Sequence, residues 1–144
     1  MFDAMGKARD AAARAMIEFL SIPQSERDWS KVTNSNPADL EDVFDFFDDL
    51  GFYMAGGQFS SEVVHHHFYN WIRIYLQEGF SYIEQNREQN REPKKWDNCE
   101  FLFNKATQVE ESTNPFETDL NWSDDKLKKY LNYELLNGGV ENEK

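Results

Sequence analysis

The segment Asn36–Gln77, NPADLEDVFDFFDDLGFYMAGGQFSSEVVHHHFYNWIRIYLQ, decides the fold. Leu40, Val43, Phe44, Phe47 and Leu50 recur at steps of three and four, the period of a helix that buries one stripe. Asn36 suits the N-cap, Pro37 the first helical position, and Asp39 the first turn, where the helix dipole favours an anion. Gly51 is placed to close that helix. Gly56-Gly57 reads as a turn, and Ser60 or Ser61 as the cap of a second helix. The second helix carries Val64, Phe68, Trp71, Ile72 and Tyr75 on one face, and Phe80 and Ile83 continue its apolar character. The pattern therefore predicts one long central helix reaching about Asn90. Its tail, EQNREQNREPKK, has no apolar side chain beyond Pro93 and reads as a solvated end projecting past the core.

Outward from this segment the helical period persists. Met5, Ala8, Ala12, Met16 and Phe19 form an N-terminal stripe that ends before Pro23. Residues 24–35 are polar, with Trp29 and Val32 as isolated anchors, and read as a loop with one helical turn. Asp97 and Glu100 have capping-box spacing, with Trp96 and Phe101 at the positions of a hydrophobic staple. Cys99, Leu102, Phe103, Ala106 and Val109 form the next stripe. A last helix starts at Ser123, turns Leu127, Tyr130, Leu131 and Leu135 inward, and stops at Gly138-Gly139. No strand-like alternation competes. The expectation is an all-α bundle of about five helices in one domain over 1–144. Its parts are an N-terminal helix (1–22), a central core (37–109), a C-terminal helix (123–137) and a tail (138–144). Phe44, Phe47, Phe68, Trp71, Ile72 and Tyr75 are expected at its centre, with Phe103 and Leu131 against them.

Composition narrows the function classes. Twelve Phe, six Tyr and four Trp in 144 residues supply far more apolar area than a disordered chain carries. A net charge of −12 argues against direct binding of nucleic acid or an anionic membrane surface, both of which need clustered Lys and Arg. A basic protein partner suits it better. The single cysteine, Cys99, forms no internal disulfide, and no apolar run approaches the roughly 20 residues of a spanning helix. The expected location is cytoplasmic, with no cofactor.

Residues 40–76 also resemble a bacterial and phage-borne family known as domain of unknown function 4760. The matching elements are Phe46-Phe47-Asp48-Asp49-Leu50-Gly51, then Gly57, then Trp71-Ile72-Arg73-Ile74-Tyr75. Trp96 to Leu102 is similar to a downstream helix of that family, which extends the likeness to about residue 109. The resemblance implies a helical fold and carries no established activity. It transfers no catalytic residue.

Chemistry-bearing residues are few. Consecutive helical positions point about 100° apart, so His65, His66 and His67 cannot all bind one ion. Only Glu62 and His66 have the i, i+4 spacing of a helical metal pair, which leaves a metal-assisted hydrolase or nuclease as an alternative. Otherwise His67 is expected beside Trp71 and Ile74, with His65 and His66 solvated. Cys99 lies on an apolar stripe as an inert thiol, and the serines read as caps rather than nucleophiles. Asp39, Glu41, Asp42, Asp45, Asp48 and Asp49 crowd one helix on the face away from its Phe stripe. Phe46, Tyr53, Phe59 and Tyr69 fall off the main stripes and are expected to form an exposed patch. The leading expectation is a non-enzymatic module that binds another protein through Asp42, Asp45, Asp49 and this patch, with self-association as a variant. An acidic mimic of DNA phosphates is a further alternative.

Overall fold

A computed structural model describes residues 2–117 and 119–142, and the side chains of 9–117 and 119–135. Every regular element among them is helical. The α-helices are α1 (Phe2–Leu20), α2 (Leu40–Ala55), α3 (Ser61–Leu76), α4 (Phe80–Asn90), α5 (Asp97–Thr113) and α6 (Asp124–Asn142). Short 3₁₀ turns occupy Gln24–Glu26, Trp29–Lys31 and Pro37–Asp39. The all-α expectation stands, and the six α-helices among the described residues agree roughly with the about five expected. No helix among the described residues is long and apolar enough to cross a membrane. The chain divides into two compact units, Met1–Val43 with Ser123–Lys144, and Phe44–Trp122.

In the first unit α1 packs against α6 and against the Pro37–Asp39 turn. Ala12, Ala13, Ala15, Met16, Phe19 and Leu20 are buried. Met5 and Ala8 lie outside the described side chains. The two anchors of the 24–35 segment are buried as expected. Trp29 stacks flat on Phe19, with centroids 3.9 Å apart. Arg27 ties this segment down by donating to the carbonyls of Leu20 and Ile22 and pairing with Asp124 at 2.8 Å. Asn36 Oδ1 accepts from the Ala38 amide, so its cap serves the 3₁₀ turn that leads into α2. Ser123 Oγ accepts from the Lys126 amide at the start of α6. Leu127 and Leu131 are buried here, so Leu131 belongs to this unit's core. The α6 helix continues through Gly138-Gly139, because an interior glycine costs a helix only about 1 kcal/mol relative to alanine.

In the second unit α2 buries Phe44, Phe47, Leu50 and Met54. The helix passes Gly51 and closes later, in a Schellman turn. There the amide of Gly57 donates to Met54 O and that of Gln58 to Tyr53 O, at 3.1 and 3.0 Å. Gly51 is required for a different reason: a Cβ there would overlap the carbonyl oxygen of Asn98. It marks the point where α2 meets the start of α5.

The long central helix is two helices. Residues 77–79 turn the chain between α3 and α4, where Gly79 lies so close to the Tyr75 carbonyl and the Phe44 ring that a side chain would collide with both. Just before this turn Ile72, Arg73, Ile74, Tyr75 and Leu76 are all buried, so α3 is enclosed on every side there. Phe68 and Trp71, expected at the centre, are half-buried, as is Phe103.

The tail of α4 does not project as a free end. Arg87 donates to the Lys95 carbonyl at 2.6 Å and pairs with Glu100 at 2.7 Å and Asp97 at 3.2 Å. This overturns the capping box, since both carboxylates are turned to Arg87. It overturns the staple too. Trp96, at φ +61°, precedes α5 and sets its indole edge-on to Phe44, 5.4 Å between centroids.

Two substitutions test this packing by urea denaturation. Gly51→Ala should cost about 1–3 kcal/mol through the forced separation of α2 and α5. Phe47→Ala should cost about 3–5 kcal/mol as a core truncation.

Candidate functional site

His66 is exposed as expected, but His65 and His67 take each other's expected positions. His65 is the inward one, with Nε2 2.8 Å from Glu110 Oε1 on α5 and its ring 4.7 Å from that of Tyr69. His66 and His67 are exposed and lie against each other at 4.9 Å. Glu62 is exposed beside them. Among the described residues no group of three His, Cys, Asp or Glu converges as a metal site. Ser60 Oγ accepts from the Val63 amide and is a helix cap.

The Cys99 thiol is buried on α5 and donates to the Phe44 carbonyl at 3.3 Å. Burial pushes its pKa far above the ordinary thiol range, so the reactive thiolate is suppressed. The native protein should therefore resist a disulfide exchange reagent at pH 8, and react fully once unfolded in urea.

The acidic residues of α2 divide into two jobs. Asp45 accepts from the Trp96 indole N–H at 2.8 Å, and Asp48 accepts from the Asn98 amide at 3.0 Å. Asp48 thereby caps the first turn of α5 from a neighbouring helix, satisfying an amide that has no partner within its own helix. Partial burial raises its pKa against the hydrogen bond from Asn98, and the charges of Asp49 and Asp45 add to the rise. Asp42 and Asp49 are exposed, as is the body of Asp45.

These exposed carboxylates continue directly into an aromatic cluster. Positions 42, 45, 49, 52 and 53 follow helical steps along one face of α2. Phe52 is 61% exposed and Tyr53 45%, with their rings 5.8 Å apart. Across the Schellman turn Phe59, also 45% exposed, lies 6.3 Å from Tyr53, and Val63 is 49% exposed. Phe46 and Tyr69 are not part of it. Phe46 packs edge-on against Phe47 and Phe68, and Tyr69 turns inward to Arg73. Phe52 joins Tyr53 and Phe59 instead; the spacing that put Phe47 and Leu50 inward also put Phe52 outward.

A second constellation escaped the sequence reading. His65, Tyr69, Arg73 and Gln77 stand four residues apart along α3 and face α5 and residues 121–122. Arg73 is 1% exposed at its centre. It donates to Tyr69 Oη at 3.0 Å and Thr107 Oγ1 at 3.2 Å, and more weakly to Gln77 and Asn121. Burial holds the Tyr69 phenol above its ordinary range despite the Arg73 hydrogen bond. The signal was present as a polar i, i+4 row inside an aromatic helix.

Compared with protein-family models, with curated proteins and with solved structures, the chain matches none.

Asp48 supplies a pH-dependent test. Because its pKa is raised in the folded state, its favourable contribution is present below its unfolded pKa and is lost as pH rises through the folded value. Asp48→Asn should match or exceed the wild type in stability at pH 7, an advantage that vanishes in acid. Asp48→Ala, which removes the cap, should cost about 0.5–2 kcal/mol at pH 7 by urea denaturation.

Proposed function

We propose that this protein is a non-enzymatic helical module that binds a basic protein partner through the exposed face of α2. The observation that carries this reading is the continuity of Asp42, Asp45 and Asp49 with Phe52, Tyr53 and Phe59. Exposed ion pairs are individually worth only about 0–1 kcal/mol, so the aromatic end supplies affinity while the carboxylates steer encounter and select charge. Large aromatic rings suit this role, since they bury wide apolar area with little side-chain freedom to lose. The net charge of −12 favours a partner surface rich in Lys and Arg that also offers apolar side chains to cover the rings. We place such a module in bacterial defence or phage counter-defence, on the same acidity and aromatic content that motivate the partner-binding reading.

Affinity capture from the native host, with mass spectrometry at two salt concentrations, tests the reading. The captured protein should present a basic surface and elute as salt rises. Phe52→Ser with Tyr53→Ser should abolish capture without lowering the melting temperature, since both rings are exposed. Asp42→Asn with Asp49→Asn should weaken capture at low salt while leaving the Asp45–Trp96 hydrogen bond intact. Capture indifferent to both double variants would reject this face. Light scattering distinguishes the competing occupant, a second copy of the chain, by a concentration-dependent mass that the Phe52/Tyr53 variant loses.

A further inference from the structure

Of the six arginines of this acidic chain, Arg14 and Arg91 lie exposed and three others pair with carboxylates. Arg27 pairs with Asp124, Arg9 with Glu134, and Arg87 with both Asp97 and Glu100. Arg73 is the most deeply buried of these cations, yet no described carboxylate pairs with it, although the chain has 27 acidic residues against 15 Lys and Arg. A guanidinium remains charged under all ordinary conditions, and a buried charge is retained at low cost only when compensated.

The compensation here is partial and entirely neutral. Two strong acceptors, Tyr69 and Thr107, both serve Nη2. Nη1 has only Gln77 Oε1 at 3.4 Å and Asn121 Oδ1 at 3.5 Å, the outer limit of a hydrogen bond. Nε meets no protein acceptor at all. The Phe103 ring lies over the guanidinium at 4.6 Å and gives it a cation–π face. Nε is thus left without a protein acceptor and Nη1 only weakly bonded inside the second unit.

We propose that Arg73 anchors a binding site for a small oxyanion, a phosphate or a carboxylate, beneath Asn121. Asn121 is an exposed residue, and its amide oxygen is the weakest of the four acceptors. Rotation of that one side chain opens Nη1 to an incoming oxygen. The segment need not unfold, because Gln77 holds Trp122 from both sides, accepting from its amide and donating to its carbonyl at 2.9 Å each. Glu110 and Glu117 act electrostatically on the adjacent Tyr69, so the site disfavours polyanions and suits a single oxyanion. The site lies apart from the α2 face and does not depend on the partner-binding reading.

Thermal melting of the intact chain in sodium phosphate, sodium acetate and sodium chloride at matched ionic strength tests this, with ³¹P line broadening as a direct readout of phosphate. Phosphate or acetate should raise the melting temperature above the chloride control, and the better of the two identifies the class of oxyanion. Asn121→Asp places a carboxylate against Nη1 from within the chain. It should raise the melting temperature without added anion and weaken anion binding about tenfold or more, the scale of a hydrogen bond to a charged group. Arg73→Met should abolish the response. No response beyond chloride in the wild type, or an undiminished response in Asn121→Asp, overturns the site. The Asn121 variant decides alone if Arg73→Met fails to fold.

Discussion

The second unit depends on the contact between α2 and the start of α5. Gly51 lets the α2 backbone meet the Asn98 carbonyl with no side chain between them. That proximity brings Asp48 onto the Asn98 amide and Asp45 onto the Trp96 indole. It also buries Cys99 against the Phe44 carbonyl. Phe44 then touches Trp96 on one side and crowds Gly79 on the other, so the same ring that seats α5 also requires the turn between α3 and α4. A bulkier residue at position 51 would disturb the cap, the indole hydrogen bond and the buried thiol together. Residues of one packed contact couple in this way because interiors are close-packed and transmit strain.

This contact also gives the acidic helix its character. Six carboxylates between residues 39 and 49 repel one another, and a helix tolerates them only where water or a donor reaches each. Asp45 and Asp48 find donors at the α5 start, while Asp42 and Asp49 remain in water. The exposed remainder leads into Phe52 and Tyr53, which no buried neighbour covers to the degree seen for Phe44 and Phe47. A face that passes from carboxylates to uncovered rings has the makings of a docking surface, because the rings lose most by staying in water.

Polar side chains hold the rest of this unit in a similar manner. The α3 row of His65, Tyr69, Arg73 and Gln77 links α3 to α5 and to Trp122 through hydrogen bonds rather than apolar contact alone. Its cost is concentrated at Arg73, whose charge faces neutral oxygens and a ring instead of a carboxylate.

What the sequence by itself determined was periodicity and exposure along single helices. The 40-43-44-47-50 spacing placed the buried stripe of α2, the serines at 60 and 61 placed the start of α3, Ser123 placed that of α6, and the absence of alternation excluded strands. Each depends on residues within a few positions of one another, so local spacing suffices. Tertiary structure alone decided where helices stop and what their polar residues meet. Gly51 read as a terminator because a glycine's need for space beside a distant backbone leaves no local trace. The break at 77–79 was hidden for the same reason, since the Phe44 ring that crowds Gly79 comes from another helix. Asp97 and Glu100 had the spacing of a cap, but Arg87 from α4 took both carboxylates. His65 and His67 exchanged roles because Glu110, 45 residues away, chose which imidazole turned inward. Arg73 looked like one more charge in an aromatic helix, and only enclosure by α5 and residues 121–122 made it a buried cation without a carboxylate.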